Sequence, residues 1–153
     1  MPVKVERDWS SLRHFKRGEF IKDPDKLSWD VILLLDEMRD AAQCPIRIHV
    51  GYDDSGHVVD SGHYAVARDF AVAVDLHFEG WSLLKQWLWA ERYTWNGIGL
   101  YPHWQHPGLH VDLRRIGREH SNLGRRWWRD KDGIYKAIDK PLLRLLIETS
   151  NDI

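Results

Sequence analysis

The sequence predicts an α+β domain with a mostly antiparallel central sheet flanked by helices. Three observations lead there. Apolar residues recur at helical spacing in some segments and alternate in others, so both element types are present. The two kinds are interspersed in the order α-β-β-α-β-β-(β)-α. At 153 residues, 43% hydrophobic and 29% charged, the chain has the length and composition of one globular domain spanning 1–153, with no linker or low-complexity stretch.

The elements follow in order. The opening "SLRHFKRGEFIKDPDKLS" is polar with a few aromatics, which predicts short turns around Phe15 and Phe20. Ser28 has the residue type of an N-cap. After it, Val31, Leu34, Leu35, Met38 and Ala42 share a face, predicting a helix over 29–42 that Cys44-Pro45 ends. "IRIHVGY" (46–52) alternates as a strand does, and "DDSG" turns the chain into a polar loop over 53–63. "FAVAVDLHF" (70–78) is apolar at most positions, as a buried strand is. A second helix is expected over 81–91, with Trp81, Leu84 and Leu88 facing in. "GIGLY" (97–101) and "LHVDLR" (109–114) read as strands, and "GRRWWRDKDGIYKAI" as a hairpin closing at 131–133. Pro141, suited to a first helical turn, opens a last helix.

Composition excludes several function classes. A net charge of −1 gives no general pull toward nucleic acid or an anionic membrane. The stretch "RRIGREHSNLGRRWWRDK" mixes basic residues with tryptophan, as single-strand binders do, but the neutral balance argues against a nucleic-acid partner. The single cysteine, Cys44, excludes an internal disulfide and a thiolate metal cluster. The N-terminus has no apolar signal region, and no run approaches a spanning helix. The expectation is a chain without a signal peptide, cytoplasmic at synthesis and not membrane-inserted, which would reach a cell wall only after release or delivery.

Nine tryptophans and nine histidines stand out, the histidines crowding 49–77 and 103–120. Asp75 lies in an otherwise apolar strand, where an unpaired charge costs several kcal/mol. In "LHVDLR", Leu109, Val111 and Leu113 take one face, and His110, Asp112 and Arg114 the other. An imidazole and a carboxylate on one strand face can share a metal. The same pattern also fits a surface strand with a histidine and an Asp–Arg pair. His63, on the loop before the Asp75 strand, is the natural third ligand if a metal is held, and a solvated loop residue if not.

"GIGLYPHWQHPGLHVDLR" resembles the second metal motif of the M15 zinc D-Ala-D-Ala carboxypeptidase superfamily, related in fold to the Hedgehog signalling domain, in the form G-I-G-x-Y-P…H-x-D-x-R. The likeness extends over nearly the whole chain, through "HFKRGEF" and "LSWDVILLLDEMRDAAQCPIRIHVGY". It implies a Hedgehog/DD-peptidase-like fold, Zn2+ as cofactor and His110 as a ligand. The family's first motif, S-x-H-x-x-G-x-A-x-D, is interrupted here. Ser61-Gly62-His63-Tyr64 fits its opening and Phe70 to Asp75 its close, with Ala71 for the glycine and "AVARD" (65–69) wedged between. Three registers follow: His63 with Asp75; His63 with Asp69, one residue short; or a count back from Asp75 that lands on Arg68, which cannot ligate.

The resemblance also departs at two places. Asp53 stands where the family often carries an arginine for a substrate carboxylate, and Pro107-Gly108 where it carries its general base. His106, His103 and Asp112 are the substitutes, with His106 chosen because a loop imidazole can take a proton from water. The implied activity is a zinc peptidase cutting stem or cross-link peptides of peptidoglycan, with Trp104, Trp95 and the "RRWWR" aromatics as wall contacts. The alternative is a catalytically degenerate module on the same fold that binds cell wall or serves as a phage or secretion part.

Overall fold

The computed structural model describes residues 7–53, 63, 70–114 and 124–153. Most of the predicted polar loop, the insertion with Arg68 and Asp69, and the basic stretch 115–123 lie outside them.

Helix α1 (Trp29–Ala42) occupies the predicted span. Strands β1 (Ile46–Val50) and β2 (Ala73–Phe78) follow, then helix α2 (Leu83–Ala90), strands β3 (Gly97–Tyr101) and β4 (Gly108–Asp112), the hairpin β5 (Arg125–Arg129) and β6 (Tyr135–Lys136), and helix α3 (Lys140–Thr149). The strands form one sheet in the order β1-β2-β4-β3-β5-β6. Each pairing is antiparallel except β3 with β5, which is parallel. The α+β content and the mostly antiparallel sheet therefore agree with the sequence.

The sheet's two faces are chemically different. Val74, Leu76 and Phe78 of β2, Ile98 and Leu100 of β3, and Leu109 and Val111 of β4 join Val31, Ile32, Leu35 and Met38 of α1 and Leu142 and Leu146 of α3 in one core cluster. The intervening residues of β2 and β4, Asp75, His77, His110 and Asp112, take the opposite face, because successive strand side chains alternate. A two-residue period thus commits a row of polar groups to the face the helices do not cover.

Several boundaries and faces differ from expectation. The strands expected over 46–52, 70–78 and 109–114 are shorter, and Ala71 instead makes a single bridge to Leu27. Ser28 sits at the N-cap of α1 without a side-chain cap; its backbone N–H donates to the Ala71 carbonyl at 2.8 Å. Asp139 caps α3, with Pro141 in its first turn.

The inward face of α2 is Leu83, Gln86 and Ala90, whereas Trp81 and Leu84 are half-buried and Leu88 is exposed. The reason is Gln86. Its Oε1 accepts from Phe78 N, and its Nε2 donates to the carbonyls of Trp81 and Pro107, each at 3.0 Å. A buried amide left unpaired costs about 1–3 kcal/mol, but one that satisfies three backbone groups welcomes burial. That turns the helix away from the face its leucines suggest.

Trp95 is fully buried and so cannot be the wall contact proposed for it. Trp128 is buried too, while Trp104 and Trp127 are half-buried.

Candidate metal centre

The candidate centre begins with a strand pairing. Asp75 on β2 lies directly opposite His110 on β4, and His110 lies opposite Gly99 on β3. His110 Nδ1 is 3.0 Å from Asp75 Oδ1. His63 Nε2 is 3.4 Å from the same oxygen. Among the described residues, His63, Asp75 and His110 form the group whose ligand atoms lie close enough together, within 4.8 Å, to hold a metal. The structure thus brings together the three ligands predicted from sequence. His63 is buried, and the side chains of Asp75 and His110 are 14% and 12% exposed.

The first of the three arrives from outside the sheet. His63 Nδ1 lies 2.9 Å from the Gly51 carbonyl oxygen, and its own carbonyl accepts from Asp53 N at 2.9 Å. A carbonyl only accepts, so Nδ1 carries a proton and Nε2 is the nitrogen turned toward Asp75. His110 is arranged the same way with its nitrogens exchanged. Its Nε2 is 2.8 Å from Asp112 Oδ2, which leaves Nδ1 for the metal side. Asp112 is itself held by the Arg114 backbone N–H at 2.9 Å and by the Arg125 guanidinium. Such acceptors behind metal-ligating histidines fix the tautomer and raise ligand basicity.

Electrostatics follow this chain. Burial pushes the Asp75 carboxyl up, but hydrogen bonds from His110 and His63 outweigh it and hold the group well below the usual range. Burial pushes His110 down, yet Asp112 and Asp75 on either side raise it to about 9. Asp112, also buried, is lowered by His110 and Arg125. The site therefore favours a positive charge between two carboxylates. A divalent cation at Nδ1 satisfies the same demand as a proton there.

Two glycines make the arrangement possible. A Cβ on Gly97 would stand 2.4 Å from Asp112 Oδ2, and one on Gly99 2.6 Å from the Trp127 ring. The Gly-Ile-Gly pattern of β3 is the space that Asp112 and Trp127 occupy. Trp127 lies across Gly99 with its ring 5.1 Å from His110, walling one side of the centre. The Tyr101 hydroxyl interacts with Trp127 and Tyr135 beside the Asp75 charge; burial and that charge hold its proton firmly.

The remaining candidates fall elsewhere. His106 stacks on His77, with ring centroids 4.9 Å apart, and is not part of the three-ligand group. Asp112 is committed to His110 and Arg125 and is not free to take a proton from water. Asp53 is ion-paired with Lys22. His103 is exposed. Sequence reasoning assigned no role to His49, His77 or Arg125. His77 was recoverable, since it stands two residues after Asp75 and so shares its face. Burial keeps both His49 and His77 below the ordinary imidazole value.

Two imidazoles and one carboxylate converging on a point, with no fourth ligand in the group among the described residues, are a donor set that could hold a metal ion. No protein-family model, curated protein or solved structure matches the chain.

Proposed function

We propose that this chain is a zinc-dependent peptidase of the M15, Hedgehog/DD-peptidase-like type, acting on stem or cross-link peptides of peptidoglycan. The observation that carries the reading is the convergence of His63 Nε2, Asp75 Oδ1 and His110 Nδ1, with the other nitrogen of each histidine tied to a backbone or carboxylate oxygen. The substrate class rests on the motif resemblance alone.

His63, Asp75 and His110 would hold the ion. When bound, zinc supplies a Lewis acid that polarises a carbonyl and acidifies water. The chain supplies the rest. Asp112 and Arg125 keep His110 oriented with Nδ1 toward the site. Trp127 restricts water on the side of β3 and β5. His106, an exposed imidazole stacked on His77 two residues along β2 from Asp75, is the proposed proton acceptor.

Metal analysis of purified protein, paired with digestion of isolated peptidoglycan, tests this. One zinc per chain, with new peptide termini that disappear in His110→Ala, is the expected result. No zinc above background after reconstitution overturns it. Bound zinc with wall binding but no cleavage selects the degenerate binding module instead. Iron in place of zinc would point to oxidative chemistry, for which the same two-histidine, one-carboxylate set is suited.

A further inference from the structure

A second group of imidazoles lies on the same sheet face and belongs to no part of the centre described above. His77 stands on β2 two residues beyond Asp75. His49 stands on β1 where the pairing with β2 slips: Ile48 faces Leu76, yet Val50 faces Asp75, so the irregularity falls at His49. Such bulges re-aim a side chain. Here His49 Nε2 and His77 Nδ1 come within 2.5 Å of each other, with ring centroids 4.8 Å apart. Trp104 packs on His49 at 5.0 Å, and His106 stacks on the other ring, His77, at 4.9 Å.

We propose that His49 and His77 form a second, weaker transition-metal site, a cross-strand chelate distinct from the His63–Asp75–His110 centre. Two imidazole nitrogens bound to one ion at about 2.0–2.1 Å, at angles between square and tetrahedral, are about 2.9–3.4 Å apart. The observed pair therefore needs to open by less than about 1 Å, a side-chain adjustment that leaves the strands in place. Nitrogen-only donors select Cu2+, Ni2+ or Zn2+ over Ca2+ or Mg2+. The site is reachable: a cleft of about 670 Å3 is lined by His77 and His106 together with Arg47, Trp81 and Pro107. Two protein ligands in place of three, with no carboxylate among them, make this the lower-affinity of the two sites.

Titration of the full chain with Zn2+ in a calorimeter, and with Cu2+ followed by electron paramagnetic resonance, tests the proposal. The expected result is two ions per chain, the weaker copper signal showing nitrogen coupling from two imidazoles. The double variant His49→Gln, His77→Gln should lose the weak equivalent and keep the tight one. His110→Ala should do the reverse. Nuclear magnetic resonance of the unmodified protein guards against misfolded variants: trace Cu2+ should broaden the His49 and His77 ring signals ahead of those of His14 and His103. Absence of the weak equivalent, its persistence in the His49→Gln, His77→Gln variant, or broadening centred on His14 or His103 overturns the proposal. A weak ion that survives where no tight one is found supports this site and defeats the proposed zinc centre, so the two ideas fail separately.

Discussion

The two histidine groups on this sheet face use the same residue type and lie side by side, yet they are built differently. In the first, the ring nitrogen facing away from the ligand position is tied to an oxygen: His63 to the Gly51 carbonyl, His110 to Asp112. In the second, His49 and His77 meet each other, braced by the rings of Trp104 and His106. The difference teaches that what sets the candidate metal centre apart is less its residue types than the acceptors behind its rings. Those acceptors fix the orientation of each ring in advance, so an ion would not have to order them.

Substitutions can break or sharpen this contrast. The largest effect is expected from His110→Ala, which should abolish tight metal binding and any cleavage; metal content after gel filtration reads the first and wall digestion the second. Next comes Asp112→Asn, which leaves all three ligands in place but replaces the charged acceptor of His110. Loss of such a partner weakens metal binding about 10–100-fold, measurable by competition with a chelating dye. An unchanged affinity would mean that the tautomer lock has no role.

Gly97→Ala approaches the same lock from the backbone. Its Cβ would collide with Asp112 Oδ2, so the carboxylate must move off His110. A stability loss of about 1–3 kcal/mol is expected for such overpacking, together with weakened metal binding. Denaturant melts of the metal-free protein separate the two contributions.

The smallest effect lies away from both groups, at the β5–β6 turn. Asp130 accepts from the backbone N–H groups of Asp132 and Ile134 and pairs with Lys136 at 2.8 Å. Lys136 and those amides hold its carboxyl down at about 2. A depressed carboxylate stabilises the fold above its unfolded pKa, near 4, and loses that contribution as pH falls toward 2. The melting temperature of Asp130→Asn should therefore lie slightly below that of the unmodified chain at pH 6 and draw level with it near pH 2. A gap that persists at low pH would show that charge is not what the turn uses.

How much was legible in advance varies by element. Asp75 and His110 could be found because an ionisable residue in an apolar strand, and a His-x-Asp in an alternating one, declare their face by period. His63 could be named from the motif, but its arrival could not, because that depends on Gly51 and Asp53 across the interrupted stretch. The role of Asp112 was mistaken for that of a possible base, since nothing local shows that Arg125 and His110 converge on it. Leu88 was placed inward because leucine is apolar; Gln86 took the buried face because its amide finds three backbone partners, which composition cannot anticipate.

The sequence alone determined which residues line each face of the sheet, because side-chain alternation and helical spacing are properties of neighbours along the chain. Only the tertiary structure decided that Asp75 pairs with His110, 35 residues away, that His63 is anchored to Gly51, 12 residues back, and that His49 is turned toward His77. Strand register, bulges and the acceptor behind each imidazole depend on partners distant in sequence. Their energies appear only once the chain has closed on itself.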